Sequence, residues 1–217
     1  MEDEIMGADW SDFPTSGVSA NTPKNILLGA GTIFKNFKYD KSSSKWTGSV
    51  IGATSGGNKL SIKPTVTNID VDGVLVDAKG LIQKAGETAQ VEANVIELSK
   101  DILKATVIGA DGTSEDERFD VIESKERIED TDYIENFAFV GFKTDGSPII
   151  VLFDYALCTE GFEADTKSKD PSVASVTFKC VADLKAGSNT AKLPYHIYTP
   201  KASATQAAQK AEKAVSE

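Results

Sequence analysis

Val173-Ala174-Ser175-Val176-Thr177-Phe178-Lys179-Cys180-Val181-Ala182-Asp183-Leu184 is the stretch on which the fold turns. Ala174, Val176, Phe178, Cys180, Ala182 and Leu184 share one face at a period of two, and all are apolar. The other face carries Val173, Ser175, Thr177, Lys179, Val181 and Asp183 and is mostly polar. Side chains alternate along a strand, so this pattern predicts one face on a core and the other toward water or a neighbour, as in an antiparallel sheet. Upstream, residues 133–142 and 148–158 are the strongest apolar runs, and Lys143-Thr144-Asp145-Gly146-Ser147 between them carries turn chemistry, which predicts one long hairpin. Downstream, residues 193–198 give a last short strand that ends at Pro200.

The N-terminal half also reads as β. Ile26, Leu27 and Leu28, followed by Thr32, Ile33, Phe34, Phe37 and Tyr39, predict a strand pair broken at Gly29-Ala30-Gly31. Residues 40–58 are rich in Ser and Gly around Trp46 and predict a long loop that orders against a partner. Residues 60–71 alternate in part, and Pro64 marks their middle as an edge or a bulge. Asp72-Gly73 is a turn signal, the apolar residues 74–76 and 81–82 flank a break at 78–80, and Ala85-Gly86 marks another turn before a strand through Ala89, Val91, Ala93 and Val95. A run of hairpins is expected there. The best helix covers residues 100–108, with Ser99 as N-cap, Asp101 in the first turn and Gly109 as the stop. Ile102, Leu103, Thr106 and Val107 form its packing face. Residues 111–132 mix acids and bases and predict a solvated excursion.

The ends differ from this middle. Residues 1–24 combine Gly, Ser, Thr, Pro and acids and predict an arm; residues 201–217 are an Ala, Lys, Glu and Gln tail without an apolar stripe. The expected domain therefore spans residues 25–200. Residues 1–12 carry no apolar run, so no secretory signal or Arg-rich transit peptide is expected, and no apolar run approaches the ~20 residues of a membrane-spanning helix. The net charge of −10 opposes tight phosphate binding, which depends on Lys and Arg displacing counterions. Cys158 and Cys180 sit in apolar surroundings and predict two reduced, buried thiols.

Chemical motifs fail on inspection. Gly52 and Gly57 have phosphate-loop spacing, but Asn58-Lys59-Leu60 follows where Lys and then a hydroxyl are needed. Gly29-Ala30-Gly31 has Phe34 in place of the third glycine of a dinucleotide fingerprint. Asn68, Asp70, Asp72 and Gly73 begin a calcium loop, yet Lys79 replaces its final acid. The single histidine, His196, leaves no His cluster for a metal and reads as structural. Acid pairs such as Glu129-Asp130 lie in a solvated run. No catalytic, cofactor-binding or metal-ligating residue is therefore singled out, and no cofactor is expected. Trp10 and Trp46 sit in polar segments, where either partner contact or local packing would cover them.

Residues 56–64 (Gly-Gly-Asn-Lys-Leu-Ser-Ile-Lys-Pro), the Ile69-Asp70-Val71-Asp72-Gly73 turn and residues 97–108 together resemble the major tail-tube proteins of long-tailed, siphovirus-type bacteriophages. The hairpin of residues 134–158, the link of 159–167, the strand of 173–184 and the ending of 193–200 follow the order of the same family. The resemblance covers roughly residues 25–200 and rests on ordered strands and turns, with no catalytic signature. It implies a mainly β, antiparallel sandwich or barrel-like domain with one short flanking helix. It further implies a virion structural protein, made in the bacterial host cytoplasm, whose hexameric rings stack into a tube that conducts DNA at ejection. Its partners would be copies of itself and other tail proteins, such as the tape measure and the terminator. DNA would pass through an acidic lumen without specific binding, and no membrane or enzymatic step is involved. On this reading residues 70–86 and 40–58 contact neighbouring rings, the contacts including Trp46, Asp72, Gly73, Val74, Leu75 and Lys79, and the N-terminal arm orders on assembly. Two rival readings are a related tail or bacteriocin-tube component and an immunoglobulin-like adhesion or carbohydrate-binding module.

Overall fold

A computed structural model describes residues 16–19, 21–166, 171–184 and 192–201. A helical turn, α1 (Thr22–Asn25), leads into β1 (Leu27–Asp40), β2 (Lys45–Val50), β3 (Thr54–Asn68) and β4 (Ile82–Val95). The helix α2 (Lys100–Val107) and the small pair β5 (Gly109–Gly112) and β6 (Val121–Ser124) follow. The chain closes with β7 (Ile134–Lys143), β8 (Pro148–Asp165), β9 (Val173–Cys180) and β10 (Tyr195–Tyr198). Eight strands make one antiparallel sheet in the order β2-β1-β7-β8-β9-β4-β3, with β10 added beside β8. The fold is thus mainly antiparallel β, as the alternation in 173–184 predicts.

The sheet curls until β3 meets β1. Asn58 Nδ2 in β3 donates to the Ala30 carbonyl at 2.8 Å, and the Ile51 N–H donates to the Ile33 carbonyl at 2.9 Å. This barrel-like roll encloses Ile33, Val91, Phe137, Phe139, Val151, Phe153, Val176 and Phe178, and α2 packs Ile102 onto them. A second apolar layer lies on the opposite face: Phe37, Ala138, Val140, Ile150 and Leu152, flanked by Phe34 and Trp46. Burial on both faces explains why residues 137–140 and 149–153 are continuously apolar and do not alternate. The β7–β8 turn forms as expected, with Asp145 Oδ1 accepting from the Ser147 N–H at 3.0 Å and its hydroxyl at 2.6 Å, and Gly146 at φ +78°.

The helix starts where Ser99 Oγ accepts the Ile102 N–H, at 3.4 Å, and it buries Ile102 and Thr106. Its stop differs from the glycine expectation. Ile108 takes the left-handed turn (φ 52°), and Gly109 is needed for packing, since a Cβ there would stand 2.4 Å from Ile122. Val107 is exposed, so the packing face is narrower than its spacing suggests.

Four more expectations are corrected. Gly29-Ala30-Gly31 does not break a strand pair; it forms a bulge within the single strand β1, whose register to β7 shifts between Leu28 and Thr32. Positive φ at Gly29 and Gly31 bends the strand there without reversing it. Residues 40–58 are not a long loop. Asp40 ties Ser42 and Ser43 into a tight turn, β2 returns along β1, and β3 begins at Thr54. Residues 70–86 hold no separate hairpin: β3 and β4 form one long hairpin, and Ala85-Gly86 lies inside β4 with Gly86 opposite Thr65. Finally, β9 stops at Cys180 and leaves Leu184 84% exposed, while β8 extends through the supposed link to Asp165. Pro64 lies on β3, which ends the strand order, and the register shifts beside it between Thr65 and Val66. Trp10 and most of the expected arm and tail lie outside the described residues.

Candidate assembly interface

The β3–β4 hairpin leaves the body as an arm. Its inner half buries Ala89, Val91, Ala93 and Val95, but every residue of 63–68 and 82–85 is exposed. A two-stranded ribbon without a third strand or a core is marginal in water by itself. The loop 69–81 that caps it is knit internally. Ile69 N–H donates to the Leu81 carbonyl at 2.8 Å and Val74 N–H to Val71 at 3.0 Å; Gly73 and Gly80 take positive φ, and the Asn68 amide donates to Asp77.

The tip so shaped is apolar and bare. Leu75 is 94% exposed and Val76 78%, with Val71 and Val74 near half, and Val66 and Ile82 extend the apolar surface along the ribbon. Single exposed apolar residues are ordinary on protein surfaces, but a contiguous group of them marks a place that a partner covers. Five of the residues expected to make contacts, Asp72, Gly73, Val74, Leu75 and Lys79, come together in this loop. Val71, Val76 and Ile82, within the expected contact stretch 70–86 but not singled out there, belong with them, and so does Val66, which lies outside that stretch.

The arm's root is fixed to the body. Glu87, with its side chain 8% exposed, accepts from Lys84 Nζ at 2.7 Å and from the Tyr195 hydroxyl at 2.8 Å. The Lys84 ammonium, seconded by Tyr195, holds the Glu87 carboxyl below its ordinary range, and the same carboxylate pushes the Tyr195 phenol up. Both carboxylate oxygens are thereby used, and β4 is tied to β10 where the arm departs.

Trp46, the sixth expected contact, lies elsewhere, on the end of the β1–β2 ribbon. It stacks on Phe37 at 5.1 Å between ring centres and meets Tyr39 and Tyr198 edge-on at 5.5 Å and 5.1 Å. Local packing therefore covers one side of its ring, while Tyr39, Ile197 and Tyr198 stay about half exposed. Gly48 makes this stack possible, because a Cβ there would sit 2.8 Å from the Phe37 ring. The Asp40 carboxyl at the ribbon's turn is drawn down to about 2 by the hydroxyls of Ser42 and Ser43.

The groups weighed for chemistry take structural places. Gly52 lies against Ile102, and the calcium-like residues belong to the arm loop. His196 Nε2 lies 3.2 Å from Asp154 Oδ1 on the outer strand β10. Among the described residues no three His, Cys, Asp or Glu side chains converge as metal ligands. Cys158 and Cys180 are free and buried; burial pushes both thiols up, Cys180 to about 12. A cleft of about 950 Å³ between α2, the β1–β2 ribbon and residues 130–135 contains Lys35 and Asp101, which pair at 2.9 Å. No protein-family model matches the chain, and no curated protein matches it in sequence.

Proposed function

We propose that this chain is a structural subunit that assembles with copies of itself, as the major tail-tube protein of a long-tailed bacteriophage. Its stacked hexameric rings would form the conduit through which DNA leaves the capsid. The observation that carries the reading is the arm, a ribbon whose apolar tip leaves Leu75 and Val76 largely exposed among the described residues. Burying a side chain such as Leu75 gains roughly 1.5–3 kcal/mol, and that gain is available only from another molecule. A ring requires unlike patches that meet head to tail, and stacking requires a second such pair. An arm on one side of a rolled sheet supplies one half of such a pair. The net charge of −10 per copy suits a lumen that repels phosphate and lets DNA slide. The role is structural and not enzymatic, and the place of action is the virion tail. Negative-stain electron microscopy of the purified chain at rising concentration tests the reading: rings or hollow filaments are expected, and discrete small particles at every concentration contradict it.

A further inference from the structure

The geometry points to a specific partner for the arm tip: we propose that the loop 69–81 of one copy docks on the aromatic end of the β1–β2 ribbon of another, at Tyr39, Trp46 and Tyr198. The inference rests on the self-assembly reading and adds the identity of the receiving surface. Three observations lead to it.

The tip is apolar at its summit and acidic around it. Within 69–81, Asp70, Asp72 and Asp77 against Lys79 leave a net −2. None of these four makes an ion pair among the described residues, and only Asp77 has a side-chain partner, the neutral amide of Asn68.

The β1–β2 ribbon end is the complement. Its exposed rings offer an aromatic pad, and within 38–47 Lys38, Lys41 and Lys45 against Asp40 leave a net +2. The three lysines are exposed and make no ion pair among the described residues, because Asp40 is turned onto Ser42 and Ser43. Tyr39 and Trp46 stand directly opposite each other and share one face of the ribbon, Lys38 and Lys45 alternate onto its reverse face, and Lys41 stands in the turn at its end. In a chain of net −10, an exposed aromatic face on a ribbon end of local net +2, with Lys41 in its turn, complements the acidic, apolar tip in both respects.

The two surfaces also lie at opposite ends of the strand order, one on the β2 end and one on the β3 end. Tip and pad are different surfaces, so a contact made once between two copies is heterologous and leaves a free tip and a free pad through which assembly propagates, whereas a reciprocal exchange of arms would close a dimer.

Charge exchange tests the pairing. Lys41→Glu with Lys45→Glu should raise the concentration needed for assembly at least roughly tenfold, as like-charge juxtaposition at an interface does. Asp70→Lys with Asp72→Lys should do the same, and the four changes together should recover most of the loss. Recovery supports the pairing, and its absence overturns it while wild-type assembly leaves the self-assembly reading standing. A wild-type chain that never assembles overturns both.

Cross-linking gives a second measure. Leu75→Cys and Tyr198→Cys variants, mixed and briefly oxidised, should yield a cross-linked dimer that neither gives alone. A Leu28→Cys variant samples another bare apolar site, at β1 and Phe142, and cross-linking there in place of Tyr198 overturns the assignment. Exposed rings on a cationic ribbon also stack on single-stranded nucleic acid. Salt-sensitive binding of a labelled single-stranded oligonucleotide that is lost in the Lys41→Glu, Lys45→Glu variant, with assembly unchanged, overturns it as well.

Discussion

Replacing Leu75 and Val76 together by serine separates folding from assembly. Both side chains are almost entirely in solvent, at 94% and 78% exposure, so the isolated subunit loses no packing. Its unfolding free energy should change by no more than about 0.5 kcal/mol, the ordinary range for surface substitutions. In an assembly that buries the tip, each side chain would contribute roughly 1.5–3 kcal/mol, so about 3–6 kcal/mol is lost per arm. At 1.4 kcal/mol per factor of ten, the contact weakens by roughly two to four orders of magnitude. Every subunit carries the defect, so the transition from free subunits to large species in sedimentation velocity should move beyond the accessible concentration range. Thermal unfolding of the same variant should superimpose on that of the wild type. Unchanged assembly would refute the reasoning, because the most exposed apolar groups of the arm would then contribute nothing. A matching fall in melting temperature would refute it differently, by placing the two side chains in the fold.

Gly31→Ala should lower stability by roughly 2–4 kcal/mol in chemical denaturation, combining left-handed strain with overpacking; the position has φ +72° and a Cβ would approach Phe139 to 2.4 Å. The thiols of Cys158 and Cys180 should resist Ellman's reagent in the native protein and react fully in denaturant, since both are buried and their thiolates disfavoured. Asp40 has a folded value near 2, below its ordinary 3.8. Its contribution is therefore complete above about pH 4 and lost as pH falls toward 2, and Asp40→Asn should flatten that part of the stability profile. Tyr195→Phe should speed amide exchange in residues 82–88, because it removes one of the two groups that hold Glu87 at the arm's root.

The sequence was legible where burial dictates it. Residues 133–158 and 173–180 form the centre of the sheet, and their apolar runs report strands packed on one or both faces. Ser99 and Ile102 likewise mark the helix through a cap and a core contact. Composition misled where a single side chain decides the outcome. Residues 40–58 look like a loop because Ser and Gly are plentiful, yet Asp40 organises the turn, and Gly48 is small so that Phe37 can lie over it. The glycines at 29 and 31 look like a break because positive φ serves a turn and a bulge alike. The arm was legible only in part. Val74-Leu75-Val76 carries the apolarity of a buried strand, and local pattern cannot reveal that the body never covers it. The aromatic pad depends on Tyr198, which reaches Trp46 only through the β10–β8 pairing, a contact between distant segments that no local spacing encodes.

Solution mass as a function of concentration tests the central claim most directly. Light scattering coupled to size exclusion should give a species of six times the 23.1 kDa subunit, or larger multiples of it, as the chain is concentrated. A constant 23.1 kDa at every concentration, with the arm still ordered, would contradict the account.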